Sequence, residues 1–382
     1  MKNYFSSSFK LGILGGGQLG KMMLYDTRKY DIQTYVLDPS KEAPCKIACD
    51  YFEQGSLTDF DTVFNFGKKV DVLTFEIETV NVDALEALEK EGKKVYPAAA
   101  TLRNIQDKGI QKEFYKTHNI PTAGFARYAF AKAVLENNPS YPFIWKSSQG
   151  GYDGKGVAVI RSEKDLMELP AVPCIAEDMI PFKNELAVIV ARNVSGEVRT
   201  YPVVEMEFHP EANQVEYVIC PARIDDAVAQ KARAVAEKVS HAFEHVGLLA
   251  VEMFQTQDDE ILVNEVAPRP HNSGHYSIEG SYTNQFEQHL RAILDLPLGD
   301  TQSKAGSVMV NLVGDEGYEG QVHYQHIEEI MQLPGVTPHI YGKQITRPFR
   351  KMGHVTIINK DMSEARKIAQ QVKETIKVIS KS

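Results

Sequence analysis

Apolar positions in the first hundred or so residues alternate between short unbroken runs and longer stretches with helical spacing. Runs over 11–14, 34–37 and 70–75 predict strands, while the stretches starting at 18, over 58–67 and over 82–90 predict helices between them. Strand and helix taken in turn predict a parallel sheet covered by helices on both faces. A helical stretch over 99–118 leads out of this region. From 121 to about 295 the pattern is rich in strands, with helices such as the amphipathic 225–245 set among them. The remainder joins apolar runs over 308–313 and 353–359 to a closing helix over 363–379, which predicts a small α+β unit. No internal repeat and no low-complexity segment interrupts this order.

Two places in the strand-rich part carry chemistry. The first is Tyr141-Pro-Phe-Ile-Trp-Lys146-Ser-Ser-Gln-Gly150-Gly-Tyr-Asp-Gly154-Lys-Gly156-Val, where two apolar runs flank a loop with four glycines in seven residues. Glycine lets main-chain N–H groups approach a polyanion, and Lys146 and Lys155 supply positive charge. No Ser or Thr follows Gly154-Lys155 and a strand comes next, so this is not a P-loop. A solvated hairpin loop is the plainer reading of the same residues.

The second place is the pair of runs 248–256 and 261–266, joined by Gln257-Asp-Asp-Glu260. They read as a β-hairpin. With its turn centred between Asp258 and Asp259, Glu252 stands opposite Glu265. Facing like charges destabilise a sheet, so the pair is either solvated or bridged by a cation. An all-oxygen site with few protein ligands suits Mg²⁺ that also holds a substrate phosphate. Strict alternation puts Asn264 on the other face, unless a bulge intervenes.

Composition narrows the classes. A chain of 382 residues is long enough for two or three domains. Its net charge of −9 argues against nucleic acid as a partner. No apolar run approaches the ~20 residues that span a bilayer, so no membrane role is expected. The four cysteines have no zinc-like spacing and suit a reducing cytoplasm. Gly15-x-Gly17-x-x-Gly20 follows a strand and opens a helix, and Asp38 ends the next strand. That is a dinucleotide fingerprint on paper, so a nicotinamide-dependent oxidoreductase is one alternative. His271 and His275 are four apart, but Pro270 and Gly274 favour a loop over a zinc-binding helix. Arg350 and Lys351 form a basic pair suited to a substrate phosphate, or simply two exposed charges.

Taken together, the glycine loop and the paired glutamates resemble the ATP-grasp enzymes. The motif Asn264-Glu265-Val-Ala-Pro-Arg269-Pro-His271-Asn-Ser-Gly274-His275 narrows this, along with Gly15-Gly-Gly-Gln-Leu-Gly20, Thr74-Phe-Glu-Ile-Glu78 and Arg350-Lys-Met-Gly-His354. As a set they closely resemble the 5-(carboxyamino)imidazole ribonucleotide synthetases of purine biosynthesis, from about residue 11 to about 356. The resemblance implies an ATP-grasp fold of mixed α/β and α+β class. It implies a Rossmann-like parallel-sheet domain over 1–105, an ATP-grasp domain over 106–298 and a small α+β domain over 299–382. It further implies a cytoplasmic homodimer that uses ATP, Mg²⁺, bicarbonate and 5-aminoimidazole ribonucleotide. Formate-dependent glycinamide ribonucleotide transformylase is the alternative within the fold.

By the same resemblance, Lys108, Lys146 and the loop residues Gly151, Tyr152, Asp153, Gly154, Lys155, Gly156 and Val157 reach the ATP phosphates. Glu177, Asp178, Met179 and Ile180 follow a strand over 174–176 and match the hinge whose main chain reads adenine, and Glu185 is placed like the acid that accepts the ribose hydroxyls. His209 lines the nucleotide site or is an ordinary packing histidine. Asn264 joins Glu265 at the nucleotide, with Glu252 and Glu265 as the metal ligands. Arg269 and His271 face the carboxyphosphate or ribonucleotide. Asp153 orients the amine, Tyr152 and Lys155 hold the ribonucleotide, and Gln18, Leu19 and Glu76, taken in preference to Glu78, contact it from the first domain. Lys351 and Arg350 contact it from the third. The chain departs from the family in having Lys108 where arginine is common, and in Thr346-Arg-Pro-Phe before Arg350.

Overall fold

The computed structural model describes residues 3–151, 156–210, 212 and 214–381. The N-terminal part forms a five-stranded parallel sheet in the order Tyr51–Gln54, Gln33–Asp38, Lys10–Leu14, Val72–Phe75, Lys94–Val95. Its central strands are buried on both faces, which is why their sequence runs apolar without alternation. Helices Phe60–Lys68 and Val82–Lys90 cover one face, packing Val63, Phe66, Leu85 and Leu88 against Leu14, Leu37 and Phe75. Helix Gln18–Thr27 covers the other, together with a distant helix, Gln285–Ile293, through Phe286 and Leu290. The middle of the chain thus reaches back to complete the first layer.

The stretch expected as one helix over 99–118 is two, Ala99–Gln106 and Lys108–Thr117. Asp107 breaks it: its backbone is extended, and its side chain accepts the Ile110 N–H as the cap of the second helix. Lys108 therefore opens a fresh helix, at the edge of the central part.

That central part is an antiparallel sheet running Ile261–Ala267, Gly247–Thr256, Phe182–Arg192, Val204–Phe208, Val215–Cys220, and on through Gly306–Val313, Lys351–Asn359 and Val336–Ile340. The C-terminal region does not start a separate large sheet. Gly306–Val313 pairs with Val215–Cys220, and one continuous surface carries both. Helix Asp226–Phe243 covers the first half and Met362–Thr375 the second. The closing stretch is not all helix: β-branched Val378 and Ile379 lie in strand Lys377–Ser380, which pairs with Gly320–Gln325. A separate four-stranded sheet, Phe125–Tyr128, Cys174–Asp178, Phe143–Ser147 and Val157–Ile160, has its own core around Trp145 and Phe143. Its Lys146 reaches Asn264 of the central sheet, and the candidate site lies where the two meet.

Candidate active site

Glu252 and Glu265 are paired directly across the hairpin. The route to that pairing differs from the sequence expectation. Residues 255, 254 and 253 face 261, 262 and 263, so the turn is centred on Asp258 alone. The register then shifts by one between Met253 and Glu252, which leaves Asn264 as the extra residue of a bulge. The bulge both restores the facing acids and frees Asn264 from strict alternation. Its Oδ1 accepts a hydrogen bond from Lys146 at 2.8 Å.

Three lysines meet this acid face. Lys108 pairs with Glu265. Lys146 pairs with Glu177 at 2.8 Å, and Lys112 pairs with the other oxygen of Glu177 at 3.0 Å. Glu177, expected to contribute its main chain to a hinge, has its side chain buried between two cations. Lys112 escaped the sequence reading, although it lies one helical turn after Lys108 and so shares its face. It also donates to Thr122 Oγ1 at 2.6 Å, and that hydroxyl donates to the carbonyl of Val263 beside the bulge, at 2.7 Å.

The electrostatics follow from burial and pairing. Burial drives the Lys112 ammonium down to about 8 in spite of Glu177. Burial would raise Glu177, but Lys146 and Lys112 outweigh it and hold the carboxylate below its usual range. Lys108 depresses Glu265 in the same way. Glu252 goes the other way: burial, then the charges of Glu265 and Glu185, push it well up. Glu185, from strand Phe182–Arg192, is itself pushed up to about 7 by burial. Glu252 and Glu265 cannot both be anionic here without a cation or a proton between them. No cluster of three or more His, Cys, Asp or Glu able to hold a metal exists among the described residues. Two carboxylates and an amide oxygen fit Mg²⁺, which keeps waters and substrate oxygens as its other ligands, and do not fit zinc.

The Pro268-to-His275 segment brings further groups to the same face. His271 Nε2 lies 3.5 Å from Glu252, and its Nδ1 bonds Ser273 Oγ at 3.0 Å. Arg269 pairs with Glu78 at 2.8 Å, tying this loop to the end of the first sheet. Lys351 opens strand Lys351–Asn359, and its charge opposes the upward shift of Glu252. Arg350 donates to the Ile345 carbonyl, and burial followed by the nearby Arg347 lowers its pKa. Gly151, Gly156 and Val157 border the glycine loop, Gly156 accepting the Ser147 N–H at 2.9 Å. Tyr152, Asp153, Gly154 and Lys155 lie outside the described residues. Asp178 and Met179 are exposed and Ile180 half-buried at the end of strand Cys174–Asp178. His209 packs on Phe349 and lines a cavity of about 320 Å³ with Asn311 and Lys373, a lining that includes none of the clustered lysines or glutamates.

At the N-terminal glycine loop the structure answers the fingerprint directly. Glu76 is buried, and its two oxygens accept the N–H groups of Gly17 at 2.7 Å and Gly20 at 2.9 Å. Asp38 accepts the Gly16 N–H at 2.7 Å. A Cβ on Gly17 would stand 2.6 Å from a Glu76 oxygen, so the glycine makes room for the protein's own acid. The anion at this helix N-terminus is a carboxylate of the chain, and the nicotinamide alternative loses its pyrophosphate site. Gln18 and Leu19 begin the helix that follows, Gln18 half-buried and Leu19 buried.

Comparison with known proteins agrees along the chain. A family described as the ribonucleotide synthetase preATP-grasp domain matches residues 9–106. The ATP-grasp domain matches 113–286, and the phosphoribosylaminoimidazole carboxylase C-terminal domain matches 307–368. The phosphoribosylaminoimidazole carboxylase of Candida albicans is 38% identical over 93% of this chain, which spans only 65% of that protein's length. The N5-carboxyaminoimidazole ribonucleotide synthase of Bacillus subtilis is 37% identical, covering 93% of this chain and 92% of its own. The N5-carboxyaminoimidazole synthase of Aspergillus clavatus, solved with ADP and 5-aminoimidazole ribonucleotide, is 36% identical with a TM-score of 0.88, covering 96% of this chain and 98% of its own. With this fold, this facing pair of acids and these relatives, the chain belongs to the N5-carboxyaminoimidazole ribonucleotide synthase family of ATP-grasp ligases.

Proposed function

We propose that this chain couples ATP hydrolysis to carboxylation of the exocyclic amine of 5-aminoimidazole ribonucleotide by bicarbonate. The products are 5-(carboxyamino)imidazole ribonucleotide, ADP and phosphate. The observation that carries the reading is the facing of Glu252 and Glu265 under Lys108 and Lys146. A bicarbonate oxygen takes the γ-phosphoryl group and ADP leaves; the amine nitrogen then attacks the carboxyl carbon and phosphate leaves.

The lysines turn from their acid partners to the phosphates, balancing charge spread over the transferred group. Glu252 and Glu265 would hold Mg²⁺, which would supply further neutralisation of the phosphate charge. Glu185, on the same face as Glu252, takes a ribose hydroxyl in this reading, and the exposed Met179 with Asp178 and Ile180 takes the adenine edge. Arg269, His271 and Lys351 bring cationic and donor groups to the carboxyl group in transfer. Arg350 and the start of the Gln18–Thr27 helix approach the ribonucleotide, and Asp153 takes the proton released by the amine. The reading includes domain boundaries near 105 and 298, a homodimer and a cytoplasmic site of action. No helix among the described residues is long and apolar enough to cross a membrane.

The test is ADP release with four substrate pairs: the aminoimidazole or glycinamide ribonucleotide, each with bicarbonate or formate. The expected result is release with the aminoimidazole compound and bicarbonate about 10²-fold above the other pairs. Faster release with glycinamide ribonucleotide and formate assigns the chain to the transformylase chemistry instead.

A further inference from the structure

We propose that Gln285 is a positioning residue for carboxyl transfer, acting through the main chain of His271. The inference rests on the carboxylation reading above. Gln285 is the first residue of helix Gln285–Ile293, which Asn284 caps by accepting the N–H groups of Phe286 and Glu287. Its neighbours in that helix, Phe286, Leu290 and Ile293, face the N-terminal core. Gln285 does not. Its side chain is fully buried and turned back into the loop that carries Arg269 and His271.

There both N–H donors of the side-chain amide, and its oxygen as acceptor, are directed at one short segment. Oε1 accepts the His271 N–H at 2.9 Å, and Nε2 donates to the His271 carbonyl at 2.9 Å and to His275 Nδ1 at 2.8 Å. One amide therefore holds both peptide groups of His271, much as a neighbouring strand would. Gly274 lacks a Cβ at the point where one would run into this amide. The Gln285 N–H donates to Ser277 Oγ at 3.0 Å, and that hydroxyl donates to the Gly274 carbonyl at 2.6 Å, closing the brace from the other side.

The consequence lies at the reacting end. The held peptide groups fix the point from which the His271 ring extends, and from there Nδ1 bonds Ser273 and Nε2 turns toward Glu252. Arg269, two residues earlier, is held in the same loop against Glu78. A leucine at 285 would fill the same space for packing alone. The amide is required only to fix the loop.

The experiment compares Gln285→Leu and Gln285→Glu with wild type, by steady-state ADP release and by the ring resonances of His271 in the free enzyme. The Leu variant is expected to lose about 100-fold in kcat, the cost of misplacing a group by about an ångström. Its KM for Mg-ATP is expected to stay within about twofold, because the lysines and the facing acids are untouched. The Glu variant, whose buried carboxylic acid keeps one acceptor and one donor, is expected to recover about tenfold of that loss. The His271 resonances are expected to move in the Leu variant. A Leu variant with kcat within about twofold of an active wild type overturns the role. So does a His271 spectrum unchanged by the Leu substitution, whatever the enzyme turns over. A wild-type chain that releases no ADP with the aminoimidazole ribonucleotide and bicarbonate overturns the carboxylation reading instead, and the His271 spectrum still decides for or against the brace.

Discussion

Buried and half-buried acids sit beside glycine-rich or hairpin backbone in two regions of this molecule, and they behave in opposite ways. At the N-terminal loop, Glu76 takes its partners from main-chain N–H groups of Gly17 and Gly20, which cannot move away. Where the four-stranded and central sheets meet, Glu265 and Glu177 take theirs from Lys108, Lys112 and Lys146, whose long side chains can turn elsewhere. The first arrangement is closed: an incoming anion finds the helix terminus already filled. The second is exchangeable: in the proposed reaction a triphosphate would take an acid's place as the partner of a lysine, and a cation would take the place of Lys108 beside Glu265. Similar sequence signals therefore give a carboxylate fixed on main-chain donors in one region and exchangeable ion pairs in the other.

The largest expected effect breaks the exchangeable side. Glu265→Gln removes the partner of Lys108 and half of the facing pair, and ADP release should fall by about 10³-fold or more. Its thermal midpoint should change little, because the lost ion pair is offset by relief of the repulsion with Glu252. A variant that turns over within about tenfold of wild type would remove the hairpin face from the chemistry.

The next effect breaks the closed side. Glu76→Ala leaves the buried Gly20 N–H and the half-buried Gly17 N–H without their partner, at about 1–3 kcal/mol for a fully buried group and less for the half-buried one. Stability measured by urea unfolding should fall by about 2–5 kcal/mol, clearly more than for Glu265→Gln. Equal stability losses in the two variants would mean that the regions do not differ in kind.

The contrast between the regions was only partly legible in the sequence. The first sheet was, because strands buried on both faces must be apolar throughout, as at 11–14 and 72–75. The facing of Glu252 and Glu265 was also legible, though through a turn centred half a residue away; the bulge at Asn264 compensates for the difference. Bulges leave no pattern of apolar residues to read. Glu177 read as a strand end offering main-chain groups, because the two lysines that bury its side chain come from a distant helix and a neighbouring strand. The break at Asp107 was missed for a local reason, since an Asp inside a helical pattern and an Asp that caps a new helix look alike until the backbone angle is known. Neither the grip of Glu76 on its loop nor that of Gln285 on His271 has a spacing signature at all.

The smallest expected effect concerns the link between the two regions. His289 stands between Thr74, two residues before Glu76, and Leu248, four residues before Glu252. Its Nδ1 accepts the Leu248 N–H at 3.2 Å, so Nε2 carries the proton and bonds Thr74 Oγ1 at 2.9 Å. Only the neutral ring can do this, and burial, with a smaller contribution from His245, drives its pKa down to about 3. In the unfolded chain the ring titrates near 6.5. Between those values the unfolded state holds the extra proton, so stability falls as the pH is lowered through that window, by about 1.4 kcal/mol per pH unit well inside it. Above about 6.5 the ring is neutral in both states and contributes no pH dependence. His289→Gln keeps an acceptor for Leu248 and a donor for Thr74 but cannot take the proton. It should cost about 1 kcal/mol at pH 7, and its stability should fall less steeply from pH 6 to pH 4 than that of wild type, by about one proton's worth of slope. The remaining slope belongs in part to His245, buried and lowered to about 4 in the same way. Urea unfolding at pH 7, 6, 5 and 4 measures the difference; parallel curves for the two proteins would show that the closed loop and the acid hairpin are not joined through a neutral histidine.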